Sequence, residues 1–463
     1  MLLEDLPEEI LHKIFTHLNE ESLVNLNLAY NYQSDSIHRV ITCLYNRFLR
    51  DISLRDYNLG RKFKDEGWSY ETASMELIHK LFYKTQHLLH SDSLQANVVR
   101  SDLIGVVSNI DFPQRRVTSF VIYKEKAFLS LNDSSVESRN LNDLSKCMTV
   151  LLQPFDGVFP DYVLTKGCQI HLKDKLLGAA DVRRQKLYLW NVETEFILSE
   201  ININETGFPY DLKINSKNIF ILSGFSLIIW KLDAQNGIKN NRPTIIPEFD
   251  QQDNWLERHS LQVSDDFVVT KSTCFEGPAD VNYIHIRRCG PDGFIGPIIR
   301  NIVSSIGVSI SEFCLSPDNI LVICYRDRKM SFFPRQTIDV LNVSTGEIIH
   351  QIPTRRNFAI LPVTWIGDNL YVKVVPKNQV GINVSIEKWN IKSNKFGTLE
   401  GVTLENIADL IDIGLSHIVK VFNVFPITPY LENTELEFHD YDEFSTFKIY
   451  GVIYNLWESI QIL

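Results

Sequence analysis

The chain has no basic excess. Lysine and arginine total 46 against 57 aspartates and glutamates, a net charge of −11. This excludes a general nucleic-acid binder, whose binding face must neutralise phosphates. No apolar run approaches the roughly 18–20 residues of a membrane helix. No secretory leader is expected, because Met1-Leu2-Leu3 runs straight into Glu4, Asp5, Glu8 and Glu9, where a leader carries a basic start and a longer apolar stretch. Cysteine is sparse and unpatterned. The seven cysteines (43, 147, 168, 274, 289, 314, 324) are odd in number and none forms Cys-x-x-Cys. Buried free thiols in a reducing compartment, cytoplasmic or nuclear, are therefore expected instead of a disulfide framework. The Asn-x-Ser/Thr matches at Asn132, Asn204, Asn342 and Asn383 are then chance occurrences.

Catalytic patterns are missing as well. There is no Gly-x-Gly-x-x-Gly, phosphate loop, His-Glu-x-x-His or Gly-x-Ser-x-Gly, so neither an enzyme nor a cofactor is expected. His285 and Cys289 lie four apart, but on a strand and turn with no second ligand pair, so no metal site is expected there.

What is present is a globular composition, with 44% apolar, 22% charged and 11% aromatic residues. The hydrophobic period changes near residue 100. Before it, Ile10, Leu11, Ile14, Phe15 and Leu18 follow helical spacing, opened by Pro7 and by Glu8 and Glu9 where the helix dipole favours acids. Leu23, Leu26 and Leu28 begin a second short helix. Ile37, Val40, Ile41, Leu44, Phe48 and Leu49 mark a third, and a longer helix runs from about Tyr70 to Leu89 with Met75, Ile78, Leu81, Phe82 and Leu88 inward.

After Asp102 short apolar runs alternate with Asn, Asp, Gly, Ser and Pro, the texture of strands and turns. A helical stretch is expected only at Leu404–Ile411. A weak repeat is visible in Trp190-Asn-Val-Glu-Thr194, Trp230-Lys-Leu-Asp-Ala234, Leu341-Asn-Val-Ser-Thr345 and Trp389-Asn-Ile-Lys-Ser393. Arg139-Asn-Leu-Asn-Asp143 and Tyr454-Asn-Leu-Trp-Glu458 are degraded copies, and the strand at 282–286 makes a seventh candidate. From Trp190 to Trp389 the successive spacings are 40, 56, 55 and 48 residues. Such periods fit β-propeller blades, each too small to bury both faces without stacking on its neighbours. The alternative is a pair of β-sandwiches with coincidental Trp-Asn turns. The expected architecture is α+β and multidomain: a small all-α unit over 1–50, a helical linker over 51–100, and a large all-β domain over 101–463, a propeller of about seven blades. Leu103–Val107 and Lys448–Tyr454 are expected to join and close the ring.

Leu6-Pro7-Glu8-Glu9-Ile10-Leu11, followed by Ile14-Phe15, Leu18, Ser22-Leu23 and Leu26, resembles the F-box family. The resemblance covers about residues 5–48 and is carried by its first half. Where the family usually has a Val-Cys-Arg/Lys-x-Trp-like run, this chain has Asn31-Tyr-Gln-Ser-Asp-Ser-Ile37. The resemblance implies docking on the Skp-type adaptor of SCF ubiquitin ligases, and through it on a cullin and a RING subunit, with Leu6, Pro7, Ile10, Leu11, Ile14, Phe15, Leu18, Leu23 and Leu26 as the adaptor face. An F-box before a propeller further resembles the WD-repeat class of these receptors, although no Trp-Asp pair or Gly-His of that repeat occurs. The family also contains members that use the adaptor in structural or trafficking roles, and a propeller enzyme is the remaining alternative.

Four Arg-Arg pairs stand out: 115–116, 183–184, 287–288 and 355–356, and Arg326 and Arg328 add another basic patch. Arginine forks suit phosphate recognition. Some of Arg183, Arg184, Arg287, Arg288, Arg355 and Arg356 are therefore expected to converge at one channel mouth and meet a negatively charged, phosphorylated segment of a protein substrate. The acidic run from Glu432 to Glu443 reads as a solvated loop.

Overall fold

The computed structural model describes residues 6–18, 22–26, 35–91, 94–107, 117–155, 168–203, 209–223, 226–233, 237–239, 242–247, 260–276, 279–305, 308–327, 336–353, 358–376, 384–404, 410–413, 417–424, 447–457 and 460. Four helices come first: α1 (Glu8–Phe15), α2 (Asp35–Arg55), α3 (Tyr57–Asp65) and α4 (Met75–His90), with residues 22–26 helical between α1 and α2. Local chemistry sets their ends. Pro7 is the N-cap of α1, the Asp56 carboxylate accepts from Leu59 N at 2.8 Å to start α3, and Ser74 Oγ accepts from Leu77 N at 3.3 Å to start α4. The Ser74 cap explains why the last helix begins at Met75 and not at Tyr70. Met75, in its first turn, is exposed, whereas Ile78, Leu81, Phe82 and Leu88 point inward as expected. Helix α2 runs through residue 50, and strand pairing begins at Leu94 instead of residue 101.

The strands then follow in sheets. Two early ones are β1 (Leu94–Gln95) and β2 (Asn97–Val107). Blade 1 is β3 (Val117–Tyr123), β4 (Lys126–Leu131), β5 (Val136–Asn140) and β6 (Asp143–Leu152). Blade 2 is β7 (Gln169–Lys173), β8 (Leu176–Asp181), β9 (Lys186–Asn191) and β10 (Phe196–Asn202). Blade 3 is β11 (Pro209–Ile214), β12 (Asn218–Ser223), β13 (Ser226–Lys231) and β14 (Thr244–Pro247). Blade 4 is β15 (Ser260–Val263), β16 (Phe267–Glu276), β17 (Ala279–Cys289) and β18 (Ile295–Val303). Blade 5 is β19 (Val308–Leu315), β20 (Ile320–Asp327), β21 (Gln336–Asn342) and β22 (Ile348–Pro353). Blade 6 is β23 (Phe358–Ile366), β24 (Asn369–Pro376), β25 (Val384–Asn390) and β26 (Lys395–Leu404), with β1 added in parallel as a fifth strand. Blade 7 is β27 (Leu410–Ile413), β28 (His417–Val424) and β29 (Phe447–Asn455), with β2 outermost.

The first strands of the blades lie side by side in the sequence β3, β7, β11, β15, β19, β23, β27 and back to β3. This is a closed, seven-bladed β-propeller. Closure is by the expected segments: β2 pairs antiparallel with β29, Leu103 opposite Tyr450 and Val107 opposite Phe447, which leaves blade 7 without a missing outer strand.

The seven repeat candidates fall on the seven third strands, β5, β9, β13, β17, β21, β25 and β29. Where a copy carries Asn at the strand's end, its side chain caps the following turn. Asn191 Oδ1 accepts from Glu193 N at 2.9 Å, Asn342 Oδ1 from Ser344 N at 2.9 Å, and Asn390 Oδ1 from Ser393 N at 2.9 Å. Four residues after each Asn the backbone turns left-handed, at Glu195, Gly346 and Asn394, as a tight hairpin between twisted strands requires. Middle strands such as β8, β12 and β13 are buried on both faces because blades stack, which accounts for unbroken apolar runs such as Leu227-Ile-Ile-Trp230. Outer strands such as β10 remain largely exposed.

Two sequence expectations are corrected. Leu404 ends β26 while Leu410 and Ile411 begin β27, so the helix expected at 404–411 has strand at both ends; 405–409 lie outside the described residues. Cys168, Cys289, Cys314 and Cys324 are buried thiols, but Cys43 and Cys147 are exposed, on the outward side of α2 and on the outer strand β6. The acidic run 432–443 and Cys274 lie outside the described side chains.

The helical unit and the ring share one core. Leu11, Phe15, Ile41, Tyr45, Phe63, Leu81 and Phe82 are continuous with Ile386 and Leu399 of blade 6 and with Ile418, Tyr454 and Trp457 at blade 7. Polar ties run the same way. Trp457 Nε1 donates to Glu66 Oε1 at 2.7 Å, and Lys388 Nζ donates to the α4 terminal carbonyls of Leu88, Leu89 and Ser91 at 3.1, 2.9 and 2.8 Å. Arg61 pairs with Glu125 of blade 1. All these attachments are at the ends of the blades where first strands turn into second and third into fourth. The helices thus lie on one face of the ring.

Candidate functional site

Two places in the molecule combine exposure with unusual chemistry. The first is α1. Leu11 and Phe15, one turn apart, are buried against the helical core. On the neighbouring side Ile10 and Ile14, with Leu18 in the turn after the helix, are 41%, 40% and 36% exposed, with Pro7 exposed at the head of the helix. A short helix with two apolar stripes can bury one against its own fold and present the other. Of the nine residues expected on the adaptor face, Leu11, Phe15 and Leu23 are core, and Leu6 and Leu26 are partly buried against it. Pro7, Ile10, Ile14 and Leu18 remain outward.

Two of the expected arginine pairs lie far apart. Arg183 and Arg184 close the hairpin between the second and third strands of blade 2. Arg287 and Arg288 sit at the other end of a third strand, beside its turn into the fourth strand of blade 4. The up-and-down strand order puts these two ends on opposite faces of the ring, so the pairs do not converge. Arg183 and Arg287 are also buried. Arg184 bonds Asp181 Oδ2 at 2.5 Å and the Gln153 carbonyl at 2.6 Å, with its guanidinium 5.3 Å from the Phe155 ring centroid. Arg288 lies 5.8 Å over the Phe267 ring. Arg115, Arg116, Arg328, Arg355 and Arg356 are outside the described residues. Cys289 Sγ, expected not to bind metal with His285, is met by the amides of Asn215 and Asn218 at 3.7 and 3.6 Å.

The second place is a cavity of about 690 Å³ at the channel mouth beneath the helices. The elbow between α2 and α3, Arg55 to Asn58, forms one wall. The turns β3–β4 and β7–β8 and the strands β27 and β28 form the other. At the rim, Lys124 pairs with Glu193 at 2.6 Å and its ammonium lies 5.6 and 5.0 Å from the Tyr57 and Tyr123 ring centroids. Deeper in, burial pushes the Asp412 carboxyl up to about 6, against which the backbone N–H groups of Ile122 and Ile413 work. Burial lowers the His417 imidazole, opposed by the charge of Asp56, and its Nδ1 is buried without a hydrogen-bond partner among the described residues. Sequence reasoning did not find this cavity. The available signal was a carboxylate alone in an aliphatic strand, Leu410-Ile-Asp-Ile413.

No protein-family model matches the chain, and no curated protein sequence matches it. Similar solved structures include Hsv2 of Kluyveromyces lactis with its loop 6CD replaced by a Gly-Ser linker, at 13% identity over 63% of this chain and 99% of that one, TM-score 0.34. Hsv2 of Kluyveromyces marxianus has 12% identity over 63% and 99%, TM-score 0.31, and the computationally designed Ika8 protein 11% over 66% and 93%, TM-score 0.36. At such values the seven-bladed ring rests on its own strand pairing and closure.

Proposed function

We propose that this chain is an F-box-type substrate receptor of an SCF ubiquitin ligase. The observation that carries the reading is the Leu-Pro-Glu-Glu-Ile-Leu opening on a helix that keeps a second apolar stripe, Ile10, Ile14 and Leu18, facing outward. On this reading the stripe and Pro7 meet the Skp-type adaptor, while Leu11, Phe15 and Leu23 hold the helix in place. A cullin and RING subunit join through the adaptor. The propeller holds a protein for modification, by its face away from the helices, and acts by raising the local concentration of acceptor lysines, not by bond chemistry. The arginine pairs on opposite faces do not form a joint phosphate clamp, so any preference for a phosphorylated segment must come from one face alone.

Burying an isoleucine contributes about 1.5–3 kcal/mol. Ile10→Asp with Ile14→Asp in the full chain should therefore weaken capture of purified adaptor at least tenfold, with the melting temperature held. Co-purification of the cullin from cells separates a ligase role from adaptor use outside a ligase. Undiminished adaptor capture by the doubly substituted chain would reject the proposal.

A further inference from the structure

The cavity beneath the helices holds a charge that the fold does not neutralise. The charged groups around it differ in their access to water. Arg55, Asp174 and Lys175 are exposed at the rim, where solvent screens them. Lys124 is engaged by Glu193 at 2.6 Å, and Asp56 caps α3 through Leu59 N. His417 is kept neutral by burial and leaves Nδ1 without a partner among the described residues. Asp412 is half-buried in the cavity wall, and burial of its carboxyl pushes it up to about 6. It receives only backbone N–H bonds from Ile122 and Ile413, and no lysine or arginine among the described residues pairs with it. A desolvated, unpaired carboxylate opposes folding and is retained mainly where it has a task. Two tyrosine rings, Tyr57 and Tyr123, line the entry, and already hold an ammonium near their faces.

We propose that this cavity is a binding site for an organic monocation bearing a primary amine, seated with its ammonium on Asp412 and its carbon chain along Tyr57 and Tyr123. The amine would come either from the lysine side chain of a protein segment or from a free small amine. Because one wall is the α2–α3 elbow and the other is inner strands of blades 7, 1 and 2, the occupant bridges helices and ring. The site is independent of the adaptor reading, since it uses none of the α1 residues.

The test uses the full chain and three probes by calorimetry: N-acetyl-lysine methylamide, n-pentylamine, and the lysine derivative acetylated on Nζ. At pH 7.5 the two amines should bind and raise the melting temperature, and the acetylated probe should bind at least tenfold more weakly. Tighter binding of the lysine derivative than of pentylamine assigns the occupant to a protein segment; the reverse assigns it to a free amine. Asp412→Asn, which retains an acceptor for both N–H groups, should lose at least tenfold for either amine. Affinity in the wild type should fall as pH drops from 7.5 to 5.0, because Asp412 takes up a proton while burial holds the His417 imidazole below its ordinary value. Equal binding of charged and acetylated probes, or amine binding undiminished in Asp412→Asn, overturns the proposal. If that variant does not fold, amine affinity unchanged between pH 7.5 and 5.0 in the wild type overturns it as well.

Discussion

Lys388 offers the sharpest check on how the helices are fastened to the ring. Its side chain is 4% exposed, and its ammonium donates to three carbonyls at the end of α4, those of Leu88, Leu89 and Ser91. These carbonyls have no partners within the helix, and a cation there also meets the negative end of the helix dipole. Lys388→Met keeps the length of the stem and removes the donors. Charge-assisted bonds contribute about 1.5–3 kcal/mol each, but they do not add, and removing the buried ammonium returns part of its desolvation cost. Asn369 Nδ2 still donates to the Leu89 carbonyl at 2.9 Å. A net loss of about 1.5–3 kcal/mol follows, the cost of leaving buried neutral carbonyls without a donor. Trp457, whose indole bonds Glu66 next to α4's Lys80 and Lys84, makes fluorescence a local probe. Urea unfolding should show the loss, and amide exchange in α4 should accelerate by about tenfold to hundredfold, at about tenfold per 1.4 kcal/mol. A loss below about 1 kcal/mol with α4 protection intact would mean that the apolar core alone fastens the helices.

The two stripes of α1 should separate cleanly by stability: Leu11→Ala should cost about 2–4 kcal/mol and Ile14→Asp within about 0.5 kcal/mol, measured by urea denaturation. Removal of residues 446–463 takes β29 from between β2 and β28; calorimetry should show the whole ring melting at lower temperature, and an unchanged transition would refute closure by this pairing. Asp412 should reveal itself through pH. Its folded-state value near 6 lies above the ordinary carboxylate value near 3.9, so the folded chain binds the proton more tightly and stability falls as pH rises between about 4 and 6. Asp412→Asn should therefore be about 1–3 kcal/mol more stable than wild type at pH 7.5, with the gap closing towards pH 4.

The third strand was legible in most blades because its turn depends on a side chain. An Asn that accepts from the backbone two or three residues on leaves a trace in sequence even when the rest of the blade has diverged. Closure was legible for a different reason, since a ring that starts and ends in strands has few ways to hide an edge. The short α3 was not, because Leu59 and Phe63 alone mark its buried side. Nor could the added strand Leu94–Gln95 be foreseen, as two residues carry no period. The division of labour on α1 was also out of reach. Ile10, Ile14 and Leu18 and the pair Leu11 and Phe15 are both apolar sets at helical spacing, and only the position of α2 decides which is covered. The arginine pairs misled because adjacency in sequence says nothing about which end of a blade a residue occupies.

Closing the ring with β2 and fastening α3 through Trp457 has a consequence for synthesis. Glu66 and Trp457 are 391 positions apart, and at about 5–20 residues per second the ribosome delivers the second roughly 20–80 s after the first. Throughout that interval the apolar side of α3 and α4 and the free edge of β2 await partners not yet made. Blades 1 to 5 can stack in order as they emerge, whereas blades 6 and 7 and the helical unit must mature together once β29 and Trp457 have been made. A nascent chain of this design is most open to proteases and to pairing with other edges just before its last strand appears. Pulse-labelled chains stalled short of residue 447 should be digested from both ends while the middle blades resist.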